Sequence, residues 1–228
     1  MSTHSRLCKF VLAFALTLLQ APLAWAVVDV DLELVLAVDI SMSMDPDEQR
    51  LQREGYIAAL RDPTVIKAIK SGQRGRIAVT YLEWAGPPTQ KIIVPWRLID
   101  STESAEAFIS ELSGTPYSRA SMTSISAALL FARQQFEMGE YRSLRKVIDV
   151  SGDGVNNAGP LMSVVQPDIL SSGIVINGLP ILVRPTTTWT AYDAPDLDLY
   201  YANCVIGGPG SFSIPILARE EFVAASRR

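Results

Sequence analysis

The stretch Leu32-Glu33-Leu34-Val35-Leu36-Ala37-Val38-Asp39-Ile40-Ser41-Met42-Ser43 decides how this chain is read. Its apolar run has the composition of a strand buried on both faces of a parallel sheet. Asp39, Ser41 and Ser43 follow with the spacing D-x-S-x-S, where the strand opens into a loop. In open α/β sheets, ligands bind beyond the carboxyl ends of the strands. A carboxylate and two hydroxyls converging there suit a hard, oxygen-seeking cation such as Mg²⁺.

Outward from this strand, β and α signals alternate. Asp45-Pro46-Asp47-Glu48 reads as a helix start, with a capping carboxylate, Pro in the first turn and acids at the positive dipole end. That helix runs to about Leu60, Asp62-Pro63 breaks it, and 64–70 forms a short second helix. Segments 76–84 and 91–96 read as strands joined by Gly86-Pro87-Pro88, a connection short enough to make them antiparallel. Residues 101–112 are helical, 114–121 a polar loop, and 123–138 helical through Ile125, Leu129, Ala132 and Phe136. A strand at 145–150 leads into Ser151-Gly152-Asp153-Gly154-Val155-Asn156-Asn157. A helix at 161–171, strands at 173–183 and 199–206, and a terminal helix at 220–228 complete the pattern. The segment 185–195 reads as a surface excursion. The expected fold is α/β: a doubly wound, mostly parallel sheet with one antiparallel edge strand and helices on both faces.

The first 26 residues read differently. Arg6 and Lys9 precede an apolar stretch from Phe10 to Leu19, and Ala24-Trp25-Ala26 has the A-x-A form of a cleavage site. This is the pattern of a secretory signal peptide. The expected organisation is a leader at 1–26 and one domain at 27–228, periplasmic or secreted, with no stable membrane span after cleavage. Removing Arg6 and Lys9 leaves 18 basic against 24 acidic residues, a net charge of −6. No basic stripe remains for nucleic acid. The only histidine, His4, leaves with the leader, which excludes Ser-His-Asp and Cys-His catalysis and His-rich zinc sites. Cys204 is then the sole cysteine, in a setting that reads as a strand that buries it.

Asp39, Ser41 and Ser43 follow the first strand, Thr123 opens a helix, and Asp153 follows a later strand. Parallel topology delivers all five to one sheet edge. Each has an ordinary structural alternative, since Asp, Ser and Thr after strands are common caps and turn residues. Trp84 and Trp96 read as packing. Asp149, inside its strand, reads either as support for the site or as a hydrogen-bonding strand residue.

Taken together and in order, these residues resemble the von Willebrand factor type A domain and its metal-ion-dependent adhesion site. Cys204-Val205-Ile206-Gly207-Gly208-Pro209-Gly210 is similar to an uncharacterised bacterial family of secreted proteins related to that domain. The resemblance implies a divalent cation, Mg²⁺ or else Mn²⁺ or Ca²⁺, held by the Ser41, Ser43 and Thr123 hydroxyls with Asp39 and Asp153 nearby. One position stays open for an Asp or Glu of a partner protein. Two positions depart from the family pattern: Met122 stands where Gly often precedes the Thr, and Gly152 where Thr often precedes the second Asp. The implied function is non-enzymatic, metal-dependent protein binding. Two alternatives stand beside it. One is a metal-free scaffold. The other is a Mg²⁺-dependent phosphohydrolase of haloacid-dehalogenase type, because Gly152-Asp153-Gly154-Val155-Asn156-Asn157 looks like the G-D-G-x-N-D motif of those enzymes. Their opening motif is D-x-D, however, and its second Asp, the acid and base, is Ser41 here.

Overall fold

A computed structural model describes residues 27–183 and 196–227. The expected leader at 1–26 and the excursion at 185–195 lie outside the described residues. Seven strands are present: β1 (Val28–Asp29), β2 (Glu33–Asp39), β3 (Ile77–Trp84), β4 (Gln90–Ile99), β5 (Tyr141–Arg142), β6 (Lys146–Gly152) and β7 (Ile174–Pro180). The main sheet has the order β4-β3-β2-β6-β7. Strands β2, β3, β6 and β7 are parallel, and the edge strand β4 is antiparallel to β3. This is the expected α/β architecture. The pair β1–β5 forms a separate two-stranded parallel ladder. At two residues per strand it is too short to leave a periodic signal in the sequence.

The helices are α1 (Pro46–Arg61), α2 (Pro63–Lys70), α3 (Thr102–Ser113), α4 (Ile125–Met138), α5 (Met162–Ser171), α6 (Leu197–Tyr200) and α7 (Arg219–Ala225). Asp45 caps α1 in a reciprocal box with Glu48, and Pro46 occupies the first turn. Asp62 ends α1 and caps α2 through the Thr64 N–H, so one Asp-Pro pair both breaks and restarts the helix. Period-two alternation sends β2 side chains to opposite faces. Leu36 and Val38 join Val79, Tyr81, Phe108 and Phe222 in the core beneath α1, α3 and α7. Val35 and Ala37 join Trp84, Leu129, Ile148 and Val150 beneath α4 and α5. Each large side chain buried there contributes roughly 1.5–3 kcal/mol. Trp84 is fully buried, and Trp96 packs on Phe136 and Tyr141, so both tryptophans are packing residues.

Two local expectations are corrected. Residues 199–206 are not a strand: α6 runs on into a π-helical turn, Tyr201–Val205. Leu197, Tyr201 and Val205 are buried at spacings of four, which is a helical face. Cys204 is therefore on a helical turn and only half-buried. Helix α4 starts at Ile125 with Ser124 as its cap, so Thr123 lies just outside the helix, and its hydroxyl is not the cap.

Candidate metal centre

Asp39 is the last residue of β2 and is completely buried. Its Oδ1 accepts the Ser41 backbone N–H at 2.7 Å, which folds the loop back over the strand end. Ser43 Oγ donates to Asp153 Oδ1 at 2.6 Å, and the Ser41 and Ser43 hydroxyls are 2.8 Å apart. A serine hydroxyl has one proton. Since that of Ser43 goes to Asp153, Ser41 donates to Ser43. Residues 110 positions apart in the chain are thus joined, as the strand-end argument requires.

Thr123, buried at 3% exposure, lies beside the Asp153–Gly154 turn, where a Cβ added to Gly154 would stand 3.6 Å from its Oγ1. Its backbone is tied down from both sides. The Thr123 N–H donates to Asn157 Oδ1 at 2.9 Å, and the Asn157 N–H returns to the Thr123 carbonyl at 2.9 Å. Asn156 Oδ1 accepts from the Ser126 N–H. The two asparagines therefore fasten the loop after β6 to the start of α4. All five sequence-predicted residues sit at the same sheet edge. Asp149 does not join them; it accepts a hydrogen bond from Asn177 within the sheet.

The two departures from the family pattern have physical counterparts. Met122 has φ +69°, in the left-handed region where glycine is the easy residue. Gly152 has no room for a side chain, because a Cβ would stand 2.7 Å from Asp39 Oδ2 and 3.1 Å from Tyr201 Oη.

Three contributors escaped the sequence reading. Gln52, buried on α1, donates to the Asp39 carbonyl at 3.0 Å and accepts from Ser151 Oγ at 2.6 Å, pinning the ends of β2 and β6 together. Asn157 holds Thr123 as described. Tyr201, on the misread segment, closes the floor beside Gly152. One signal pointed to Gln52: polar side chains at Glu48, Gln52 and Arg53 lie on the helix stripe that should be apolar.

The electrostatics are unbalanced. Burial, and then the nearby Asp153 charge, push the Asp39 carboxyl well above the usual carboxylate range, and the hydrogen bonds from Ser41 offset this only in part. Asp39 Oδ2 is buried with no hydrogen-bond partner. Burial and the same two charges likewise raise the Tyr201 hydroxyl. A buried carboxylate oxygen without a partner is costly, and a bound cation is one remedy. Among the described residues no group of three or more His, Cys, Asp and Glu gathers. The donor set is instead two carboxylates and three hydroxyls, all oxygen, which fits a hard divalent cation rather than a soft metal.

The rim is apolar and exposed: Met42, Met122 and Tyr117 are 61%, 60% and 50% accessible. Arg119 bridges the rim by donating to the Met42 and Met44 carbonyls at 2.7 and 2.8 Å.

Comparison with known proteins agrees with this geometry. No curated protein sequence matches. Among solved structures, proximal thread matrix protein 1 from the mussel byssus superposes with a TM-score of 0.61 at 13% identity, over 88% of this chain and 47% of that one. The pilus adhesin SpaC from Lactobacillus rhamnosus GG gives 0.62 at 13%, over 86% and 29%. A von Willebrand factor type A protein from Catenulispora acidiphila gives 0.57 at 12%, over 87% and 41%. The chain thus spans less than half the length of each. The byssus protein has also been solved with a zinc-occupied MIDAS motif. Residues 29–228 match a family described as protein of unknown function, DUF1194. The chain belongs to the DUF1194 family, and its fold is that of a von Willebrand factor type A-like domain.

Proposed function

We propose that this protein is an exported, divalent-cation-dependent protein-binding domain rather than an enzyme. The observation that carries this reading is the buried, unpartnered Asp39 Oδ2 at a strand end where Asp153 is joined to the Ser43 and Ser41 hydroxyls and Thr123 lies against the Asp153–Gly154 turn. Those five residues would hold the cation. When bound, the ion supplies a concentrated positive charge with a position left for an outside anion, since Mg²⁺ keeps exchangeable ligands rather than taking an all-protein cage. Neutral hydroxyls leave that charge under-compensated, so an Asp or Glu side chain of a partner gains more from approaching it. The protein's own excess of acidic residues opposes long-range attraction to such a partner. Recognition therefore rests on the ion and on contacts with Met42, Tyr117 and Met122 around it. The MIDAS of the byssus protein, occupied by zinc, supports a divalent cation here without fixing which one.

The phosphohydrolase alternative is weaker. Ser41 stands where the second Asp is needed, and Asn156 and Asn157 are spent on fastening loops. Export rests on the leader pattern at 1–26. Among the described residues no helix is long and apolar enough to cross a membrane. Sequencing of the exported protein is expected to give an N-terminus near Val27, and a cytoplasmic form that keeps Met1 would contradict export.

Affinity capture tests the function. Partner binding is expected to be lost in EDTA, restored by Mg²⁺ or Mn²⁺, and lost again when one partner Asp or Glu becomes Ala. Binding that persists unchanged in EDTA would overturn the bridging role.

A further inference from the structure

A second candidate site lies on the same sheet at the opposite edge. Between the β2–β3–β6 face and helices α1 and α2 there is a cavity of about 370 Å³. Its mouth is at the starting edge of the strands, beside Asp31 and the exposed Arg145 and Arg227. Its inner end is at Leu36 and Asp149, which face each other in the β2–β6 register. From the residues just before the strands to that level is about four residues of strand, roughly 13 Å. The walls are apolar, with Leu34, Val79 and Ile69 among them. Leu34 is incompletely buried although β2 is the central strand, as expected of a side chain that borders open space.

Two polar groups stand in this apolar lining without a full set of partners. Asp149 accepts one hydrogen bond, from Asn177 Nδ2 at 2.8 Å, which leaves its second oxygen for a ligand. The Tyr56 hydroxyl is buried and makes no hydrogen bond of ordinary geometry, although the Ser151 hydroxyl stands near it. Burial raises the Asp149 carboxyl to about 6, offset in part by the Asn177 hydrogen bond and the Arg145 charge, and burial followed by the Asp149 charge pushes the Tyr56 hydroxyl up, so the two groups sense each other. A carboxylate only accepts hydrogen bonds, and a phenol both accepts and donates. A ligand group that donates to both oxygens must carry several N–H groups, and a positive charge there compensates Asp149; the Tyr56 proton is left to face the Ser151 hydroxyl. An anionic head is repelled by Asp149.

We propose that this cavity binds a small amphiphilic amine, an alkyl chain ending in a primary ammonium, with the ammonium donating to Asp149 and Tyr56 and the chain lying along Leu34, Leu36 and Val79 toward the mouth. The cation site lies further along β2, at its carboxyl end, and Tyr56 is close enough to both to feel Asp149 and to act on Tyr201. Cavities with polar lining also hold water, and water as the sole occupant is the outcome the test must separate.

The test is calorimetry on the purified protein with n-octylammonium, and with n-octanoate as the anionic counterpart. Octylammonium is expected to bind once per chain and octanoate not to bind. Asp149→Asn, which keeps shape and loses charge, is expected to weaken octylammonium by at least about tenfold. Leu34→Phe, which fills the space, is expected to weaken it comparably, while Met138→Gln, exposed at the end of α4 on the other face of the sheet, leaves it unchanged. Thermal melts confirm that each variant is folded. No binding of octylammonium to the wild type, binding unchanged by Asp149→Asn and Leu34→Phe, or octanoate binding the better would each overturn the proposal.

Discussion

Gly152 shows how tightly single residues set the candidate metal site. Nothing larger than hydrogen fits between Asp39 Oδ2 and Tyr201 Oη. The expected outcome of Gly152→Ala is a folded protein with displaced Asp39 and a cation affinity lowered at least about tenfold by calorimetry; unchanged affinity would show that Asp39 has slack. Legibility at this scale follows the same physics. Asp39, Ser41, Ser43, Thr123 and Asp153 were readable because oxygen-bearing residues after parallel strands have one place to go. Gln52 and Tyr201 were not. Their roles depend on where α1 and the π-helical turn sit against the strand ends; the polar stripe on α1 marks Gln52 as unusual without saying what it holds. The steric demand at Gly152 was also invisible, because the atoms that exclude a side chain come from residues 39 and 201.

Helix α1 carries the polar residues that hold the site's loops. Arg53 is buried against Glu83 of β3 at 2.6 Å, with 3% of each side chain exposed. Its guanidinium also donates to the Thr115 carbonyl and lies 4.0 Å from the centre of the Tyr117 ring, while Ser118 donates to the other oxygen of Glu83. One buried ion pair therefore anchors the loop that leads to Thr123. Removing one member strands the other charge. Arg53→Met is expected to cost about 3–5 kcal/mol in denaturant unfolding, with Arg53→Met/Glu83→Leu recovering most of it. A double variant no more stable than the single one would show that the pair is not coupled. Elements with a single clear period and good caps, such as α1, α2, α3 and β2, were legible. The segment 199–206 was not, since eight residues that include Tyr200, Tyr201, Val205 and Ile206 resemble a strand and only burial at positions 197, 201 and 205 reveals the helical face.

At the scale of the molecule, two apolar layers enclose one sheet whose two edges do different work. The carboxyl edge gathers hydroxyls and carboxylates, and the amino edge opens into an apolar cavity. The alternation of β and α signals made this architecture readable, while the cavity depends on how closely α1 and α2 approach the sheet, which periodicity does not report. We take the carboxyl edge to be a cation site. A ligand that binds only the folded state stabilises it by RT ln(1 + [L]/Kd), about 2.7 kcal/mol at a hundred times Kd. Calorimetric titration with Mg²⁺ and Mn²⁺, paired with thermal melts, decides whether that edge is one. The wild type is expected to bind one ion and melt higher, Asp39→Ala to lose binding, Asp153→Ala to weaken it strongly and Ser41→Ala to weaken it less. A wild-type protein that shows neither heat nor stabilisation with either ion would contradict the account and leave a scaffold of the same fold without its metal.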